Sequence, residues 1–322
     1  MLTLKNHRIC VTGGAGFLGH FVIEGLKKRG VPQSQIFVPR RKDFDLTKEA
    51  DVARLYDIAK PEVVIHLAAE VGGIGANQKH PGRFCFANLA MGMHLIEQAR
   101  ARGVRKFVQT GTVCAYPKFA PIPFREETLW DGYPEETNAP YGVAKKALFV
   151  MLDGYQREYG LNSAVVVPVN LFGPHDNFDL NSSHVIPALI RKCVDARMQN
   201  RPFMACWGTG SASREFLYVE DAAEGLLVAA EKQDTPEPIN LGTGSEVSIK
   251  QLVETVARLT RYPGEIRWDA TKPDGQPRRC LDTARAEQWL GFKAQVPLEE
   301  GLRRTIAWYE ANLGQVREVV YG

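Results

Sequence analysis

The segment "GTVCAYPK", Gly111 to Lys118, sets a hydroxyl and a thiol two positions apart just after the apolar run "KFVQT". Alternate residues of an extended chain share a side, so Thr112 and Cys114 would face one common space. A hydroxyl there can stabilise an oxyanion and a thiolate can take a proton. A buried thiol can equally be packing. Further on, "PYGVAKK" places Tyr141 four residues before Lys145. On a helix that spacing puts phenol and ammonium on one face, about one turn apart. A nearby ammonium and an oxidised nicotinamide both favour the phenolate and lower its pKa toward neutrality. Such a tyrosine exchanges a proton with a sugar hydroxyl or carbonyl while hydride moves to or from the nicotinamide.

"VTGGAGFLG" supplies the place for that nicotinamide cofactor. Gly13, Gly16 and Gly19 stand in G-x-x-G-x-x-G spacing after a strand, and Phe17, Leu18 and Gly19 open a helix. The glycines allow a tight turn and close approach of backbone to a pyrophosphate, which the helix N-terminus attracts. An acidic residue at the end of the next strand would select NAD; "VPRRKDF" instead offers Arg40, Arg41 and Lys42. Guanidinium groups suit a 2′-phosphate, so NADP(H) is expected over NAD(H). The competing reading is a solvated basic loop.

These residues need a scaffold, and the patterning provides one. "HRICVTGG", "SQIFVPRR", "EVVIHLAA", "KFVQTGT" and "NSAVVVPVNLFG" read as strands, separated by helical patterns. The alternation predicts an α/β fold with a parallel sheet, doubly wound by right-handed crossovers. "PEPINLGTG" reads as a further strand, and "SIKQLVETVARLTR" and "PLEEGLRRTIAWYEANL" as late helices. Residues 1–170 and about 214–243 are assigned to an NADP-binding Rossmann half, and about 171–213 and 244–322 to a smaller, interleaved substrate half.

Composition excludes several classes. The 322 residues carry a net charge of +3, too little to point to nucleic acid or an acidic membrane. Six scattered cysteines form no C-x-x-C pair, which argues against a disulfide scaffold or a structural zinc site; no metal is expected. No run reaches the length of a membrane span, and a cytoplasmic location is expected.

With these features in place the chain resembles the extended short-chain dehydrogenase/reductase family over essentially its whole length. The resemblance implies a catalytic Ser/Thr, Tyr and Lys, matched by Thr112, Tyr141 and Lys145. "HLAA", which includes Ala68 and Ala69, is similar to the segment that flanks the family's cofactor. "AAEVGGIGAN", "NLFGPHDNF", "SSHVIPALIRK", "WGTGSASREFLYVEDAA" and "KPDGQPRR" resemble the branch that epimerises GDP-4-keto-6-deoxy-mannose at C3 and C5 and then reduces C4 with NADPH. That likeness implies Cys114 and His184 as the epimerase acid–base pair. The C4 ketone acidifies the C3 and C5 hydrogens, and inversion removes a proton on one face and returns one on the other. For an anionic nucleotide the basic candidates are Arg191, Lys192 and Arg214, and the resemblance implies Trp207 and Arg214 as ligand contacts; Asn170 and Asn177 are further polar candidates, and Lys272 and Arg278 stand in a turn-rich segment placed to close over the diphosphate. The likeness also implies a homodimer paired through helices near 86–102 and 141–159.

The chain departs from the branch at Thr112 and Val113, each replacing a serine, at Ala115, and at Gly142, where alanine is usual. Val113 speaks against the sister 4,6-dehydratases, which need an acid directly after the triad Thr. A C4-epimerase with bound NAD, a 4-reductase on another GDP-keto-sugar, and a non-catalytic nucleotide-sensing protein stay open as alternatives.

Overall fold

In the computed structural model, which describes residues 1–180, 182–271 and 276–314, the run Ile9–Thr12 forms β1 and is buried throughout. It leads through α1 (Phe17–Lys28), β2 (Ile36–Phe37) and α2 (Glu49–Ala59) to β3 (Val63–His66). Next come α3 (Ile74–Lys79), α4 (Pro81–Ala101), β4 (Lys106–Thr110), α5 (Ala139–Tyr159) and β5 (Ser163–Pro168). The rest comprises β6 (Asn170–Phe172), α6 (Val185–Met198), β7 (Phe203–Trp207), β8 (Ser213–Tyr218), α7 (Val219–Lys232) and β9 (Pro238–Leu241). It closes with β10 (Glu246–Ser248), α8 (Ile249–Leu259), β11 (Glu265–Asp269), β12 (Arg278–Arg279) and α9 (Leu298–Ala311).

The main sheet runs β2-β1-β3-β4-β5-β9, and every pairing in it is parallel. Helices cover both faces of such a sheet, so its strands read as unbroken apolar runs. β3 is buried at all four positions. The chain leaves β1 toward β2 on one side and returns to β3 on the other. That reversal opens a crevice at the C-terminal ends of β1 and β3, where ligands of such sheets bind.

A smaller sheet, β10-β8-β12 with β6 also on β8, and a β7–β11 pair form the second half. "NSAVVVPVNLFG", expected as one strand, divides at Val169: β5 joins the main sheet and β6 the small one. β8 likewise lies in the small sheet, although 214–243 was assigned to the cofactor half; α7 and β9 do pack with the main sheet. Leu217 belongs to the larger core, while Phe216 and Tyr218 belong to the second. Strand alternation thus lets β8 serve both cores at once.

Candidate active site

At the end of β1 the chain turns through Gly13, with φ 72°. A side chain there would be strained, and its Cβ would lie 2.8 Å from the Ala68 amide nitrogen. Gly16 caps α1, and Phe17, Leu18 and Gly19 form its first turn, whose N–H groups have no partner within the helix. The Thr12 hydroxyl meets His66 Nδ1 at 2.8 Å and accepts from the Ala68 amide at 3.4 Å, fastening β1 to β3. Burial, then the charge of Lys145, pushes the His66 pKa well down, so the ring is neutral. This backbone cradle fits a dinucleotide pyrophosphate. At its rim Arg40 is exposed, and Arg41, 73% exposed, pairs with Glu70 at 3.3 Å. Glu70 also binds Arg83 at 2.7 Å. Sequence reasoning missed Glu70 because it lies one strand away from the basic loop.

The second wall is built on β4 and α5. Thr112 and Cys114 do share a space, but not through strand alternation. Thr112 caps a short 3₁₀ turn, Val113–Ala115, and its hydroxyl accepts from the Cys114 amide at 3.2 Å. The turn points Val113 into the larger core, so that position sends no polar group toward the site. α5 can lie on the turn because residue 142 is glycine; a Cβ there would overlap the Cys114 carbonyl. Tyr141 hydrogen-bonds Thr112, and the Lys145 nitrogen lies 5.9 Å from the centre of the Tyr141 ring.

The protein groups around Tyr141 by themselves raise its pKa. Burial pushes the phenol up, Cys114 adds to that, and only the Thr112 hydrogen bond opposes it. Lys145 is 2% exposed, and burial lowers its pKa to about 8. Desolvation is the leading cause at both groups.

His184 stands on a separate element, at the N-cap position of α6. Gly73 donates to the Ser182 carbonyl at 3.2 Å, docking the His184 segment on the loop after β3. Asn177 and Asp179 both bind the Ser182 hydroxyl, at 2.9 and 3.1 Å. Desolvation lowers the His184 pKa, favouring the neutral ring.

Residues 9–242 match the family described as NAD dependent epimerase/dehydratase. The chain belongs to that family. It is 39% identical over 310 residues to a "Probable GDP-L-fucose synthase 1" of Oryza sativa subsp. japonica, covering 96% of this chain and 94% of that protein. A GDP-L-fucose synthetase from Naegleria fowleri solved with NADP bound superposes with a TM-score of 0.88 at 30% identity, covering 96% of each chain. A GDP-6-OMe-4-keto-L-xylo-heptose reductase from C. jejuni reaches 0.89 at 27% identity, covering 94% of this chain and 97% of that one.

For an epimerase/dehydratase family member, the remaining candidates are spread over several elements of the small-sheet side. The Asn170 amide donates to the Glu215 carbonyl at 2.9 Å, and Arg191 to the Phe178 carbonyl at 3.1 Å. Arg278 is held by Glu246 on β10, with Nε at 2.9 Å from a carboxylate oxygen. Lys192 on α6, exposed Trp207 at the end of β7, and Arg214 at the start of β8 lie on the small-sheet side. Lys272 is outside the described residues. One residue was missed outright: Arg279 donates from Nη1 to Cys114 Sγ at 3.5 Å. The signal was the doublet in "QPRR", since neighbours on a strand point to opposite sides and only one can pair with Glu246.

Proposed function

We propose that this protein converts GDP-4-keto-6-deoxy-mannose to GDP-L-fucose by 3,5-epimerisation followed by NADPH-dependent reduction at C4. The observation that carries the reading is the placement of Thr112, Cys114, Tyr141 and Lys145 on one turn and one helix face. The near full-length similarity to proteins named GDP-L-fucose synthase supplies the substrate class.

In this reading Cys114 Sγ, as thiolate, takes the proton from C5 or C3, and the C–H electron pair moves onto the C4 oxygen as an enolate. The Thr112 and Tyr141 hydroxyls donate to that oxygen. His184, once it has taken up a second ring proton, returns that proton on the opposite face, and inversion follows. Tyr141 then gives its phenolic proton to the C4 oxygen as the ketone is reduced. Burial keeps Tyr141 protonated, which suits a proton donor. Lys145 stabilises the phenolate left behind. Bound NADPH supplies the hydride at C4. Gly13, Gly16, Phe17, Leu18, Gly19, Ala68, Ala69 and Lys145 would hold it, with Arg40 and Arg41 toward the 2′-phosphate. Lys192, Trp207 and Arg214 would hold the GDP end.

A second reading, reduction at C4 of another GDP-keto-sugar without epimerisation, is favoured by the likeness to the heptose reductase. Incubation with GDP-4-keto-6-deoxy-mannose and NADPH, with NMR of the product, separates the two. GDP-L-fucose supports the first; an unepimerised 6-deoxy sugar supports the second.

Two copies would pair through α4 and α5, which pack on each other and carry exposed apolar residues, Phe86 at 65% and Val150 at 56% among them. Among the described residues no helix is long and apolar enough to cross a membrane. Six free cysteines suit a reducing cytoplasm.

A further inference from the structure

Arg279 is 9% exposed, yet a guanidinium stays charged at any ordinary pH. Such a group is costly to bury unless its donors are used. Its Nε donates to Gln276 Oε1 at 2.8 Å, and Gln276 in turn donates to the Lys118 carbonyl at 2.9 Å. Lys118 closes the segment that begins with Thr112 and Cys114. One further donor, Nη1, reaches Cys114 Sγ at 3.5 Å.

The backbone under Arg279 is clamped from both halves. β12 pairs in parallel with β8, placing Arg279 opposite Arg214. Just after it, the Leu281 amide donates to the buried Glu215 carboxylate at 2.6 Å. On the other side, the Phe124 amide donates to the Cys280 carbonyl at 2.8 Å, and the Asp282 amide to the Phe124 carbonyl at 2.9 Å. The segment therefore ties the small sheet to the loop that follows Cys114. Its rigid placement delivers a planar, permanently charged donor to one sulfur.

We infer that Arg279 is the positioning residue of the epimerase thiol: it aims Cys114 Sγ and holds the thiolate by a charge-assisted hydrogen bond. The inference rests on the reading of Cys114 as the base. In the step it serves, the thiolate takes the carbon-bound proton and becomes a thiol, the electron pair passes to the C4 oxygen, and Arg279 keeps all its protons. Charge-assisted bonds are about twice as strong as neutral ones, and a nearby cation raises the fraction of cysteine present as the reactive thiolate.

The test compares the wild type with Arg279→Met, Arg279→Lys and Cys114→Ser. Iodoacetamide labelling of the Cys114 peptide at fixed pH, read by mass spectrometry, reports thiolate. The buried Cys10, Cys193, Cys206 and Cys280 serve as internal controls. Arg279→Met should slow labelling about tenfold and cut deuterium exchange at C3 and C5 about 10²-fold, with KM nearly unchanged. Arg279→Lys should recover part of both. GDP affinity should stay within about twofold, because the guanidinium is aimed at sulfur. Wild-type labelling in Arg279→Met, or a loss of GDP affinity in its place, overturns the inference and makes Arg279 a diphosphate ligand or a packing residue. NADP⁺ affinity checks folding. If Arg279→Met lacks it, Arg279→Lys decides: slower labelling supports the role and wild-type labelling refutes it. Normal exchange in Cys114→Ser would instead remove the epimerase reading itself.

Discussion

The cofactor edge and the sugar edge of this molecule are built by different means. At the end of β1 the cradle is mostly backbone. Gly13, the first turn of α1 and Ala68 meet because β1 and β3 are adjacent in register, with Thr12 opposite His66. The sugar edge is assembled from side chains on separate elements. Cys114 sits on a 3₁₀ turn, Tyr141 and Lys145 on α5, His184 at the head of α6 and Arg279 on β12. The Cys114–Arg279 contact spans 165 residues of sequence. A backbone cradle depends on a few glycines and the sheet; a side-chain assembly depends on many packing choices being right together. Substitutions at the two edges should therefore fail differently.

The sharpest contrast is within the sugar edge. Cys114→Ala should lower deuterium exchange at C3 and C5 by about 10²–10⁴-fold, while 4-keto reduction persists and yields an unepimerised 6-deoxy sugar. Tyr141→Phe should do the converse, with hydride transfer falling by a similar factor and slow exchange surviving. Product NMR in heavy water reads both. If the two variants lose both reactions equally, the division of labour is wrong.

Lys145 sets function against stability. Its drop from 10.5 to about 8 amounts to about 3 kcal/mol against the charged amine below pH 8. Between about pH 8 and 10.5 the unfolded chain binds more protons than the folded one, so this group's penalty fades as pH rises. Lys145→Met should therefore raise the unfolding free energy of the cofactor-free protein at pH 7, read from urea denaturation, by about 1–3 kcal/mol, while abolishing reduction. The gain should vanish above roughly pH 10. A less stable variant at pH 7 would mean that the ammonium is solvated or paired.

Gly142 tests how tightly the edge is packed. A Cβ there would overlap the Cys114 carbonyl oxygen and lie 3.3 Å from the Ala115 Cα, and backbone cannot rotate aside. Gly142→Ala should cost about 1–3 kcal/mol in denaturation and reduce C3/C5 exchange more than NADP⁺ affinity. A neutral effect would show that the turn yields readily.

The same contrast explains what could be read beforehand. The parallel sheet, the glycine turn and the Tyr–Lys pair are local patterns, each complete within a few tens of residues, and they appear where expected. What was not legible is relational. Arg279 was passed over for Arg278 because only the β8–β12 register and Glu246 reveal which arginine faces the thiol. The split at Val169 was hidden because β5 and β6 are both apolar, and only their partner strands differ. The burial that raises the phenol's pKa cannot be seen in a spacing of four.

The smallest effect lies at the cofactor edge. Two arginines were expected to share the 2′-phosphate, but Arg41 is also an ion-pair partner of Glu70, which binds Arg83 as well. An exposed pair of this kind is worth about 0–1 kcal/mol, so competition for Arg41 changes affinity by fivefold at most. Arg40 carries no such competitor among its described neighbours. Arg40→Ala should thus weaken NADP⁺ more than Arg41→Ala does, with NAD⁺ little changed by either. Glu70→Gln, which removes the charge but keeps the shape, should free Arg41 and tighten NADP⁺ by about two- to fivefold, an effect that shrinks at high salt. Fluorescence titration with NADP⁺, NAD⁺ and 2′,5′-ADP reads the difference directly. If Glu70→Gln weakens NADP⁺ instead, the carboxylate is holding Arg41 in its binding pose, and the cofactor edge then depends on side-chain assembly just as the sugar edge does.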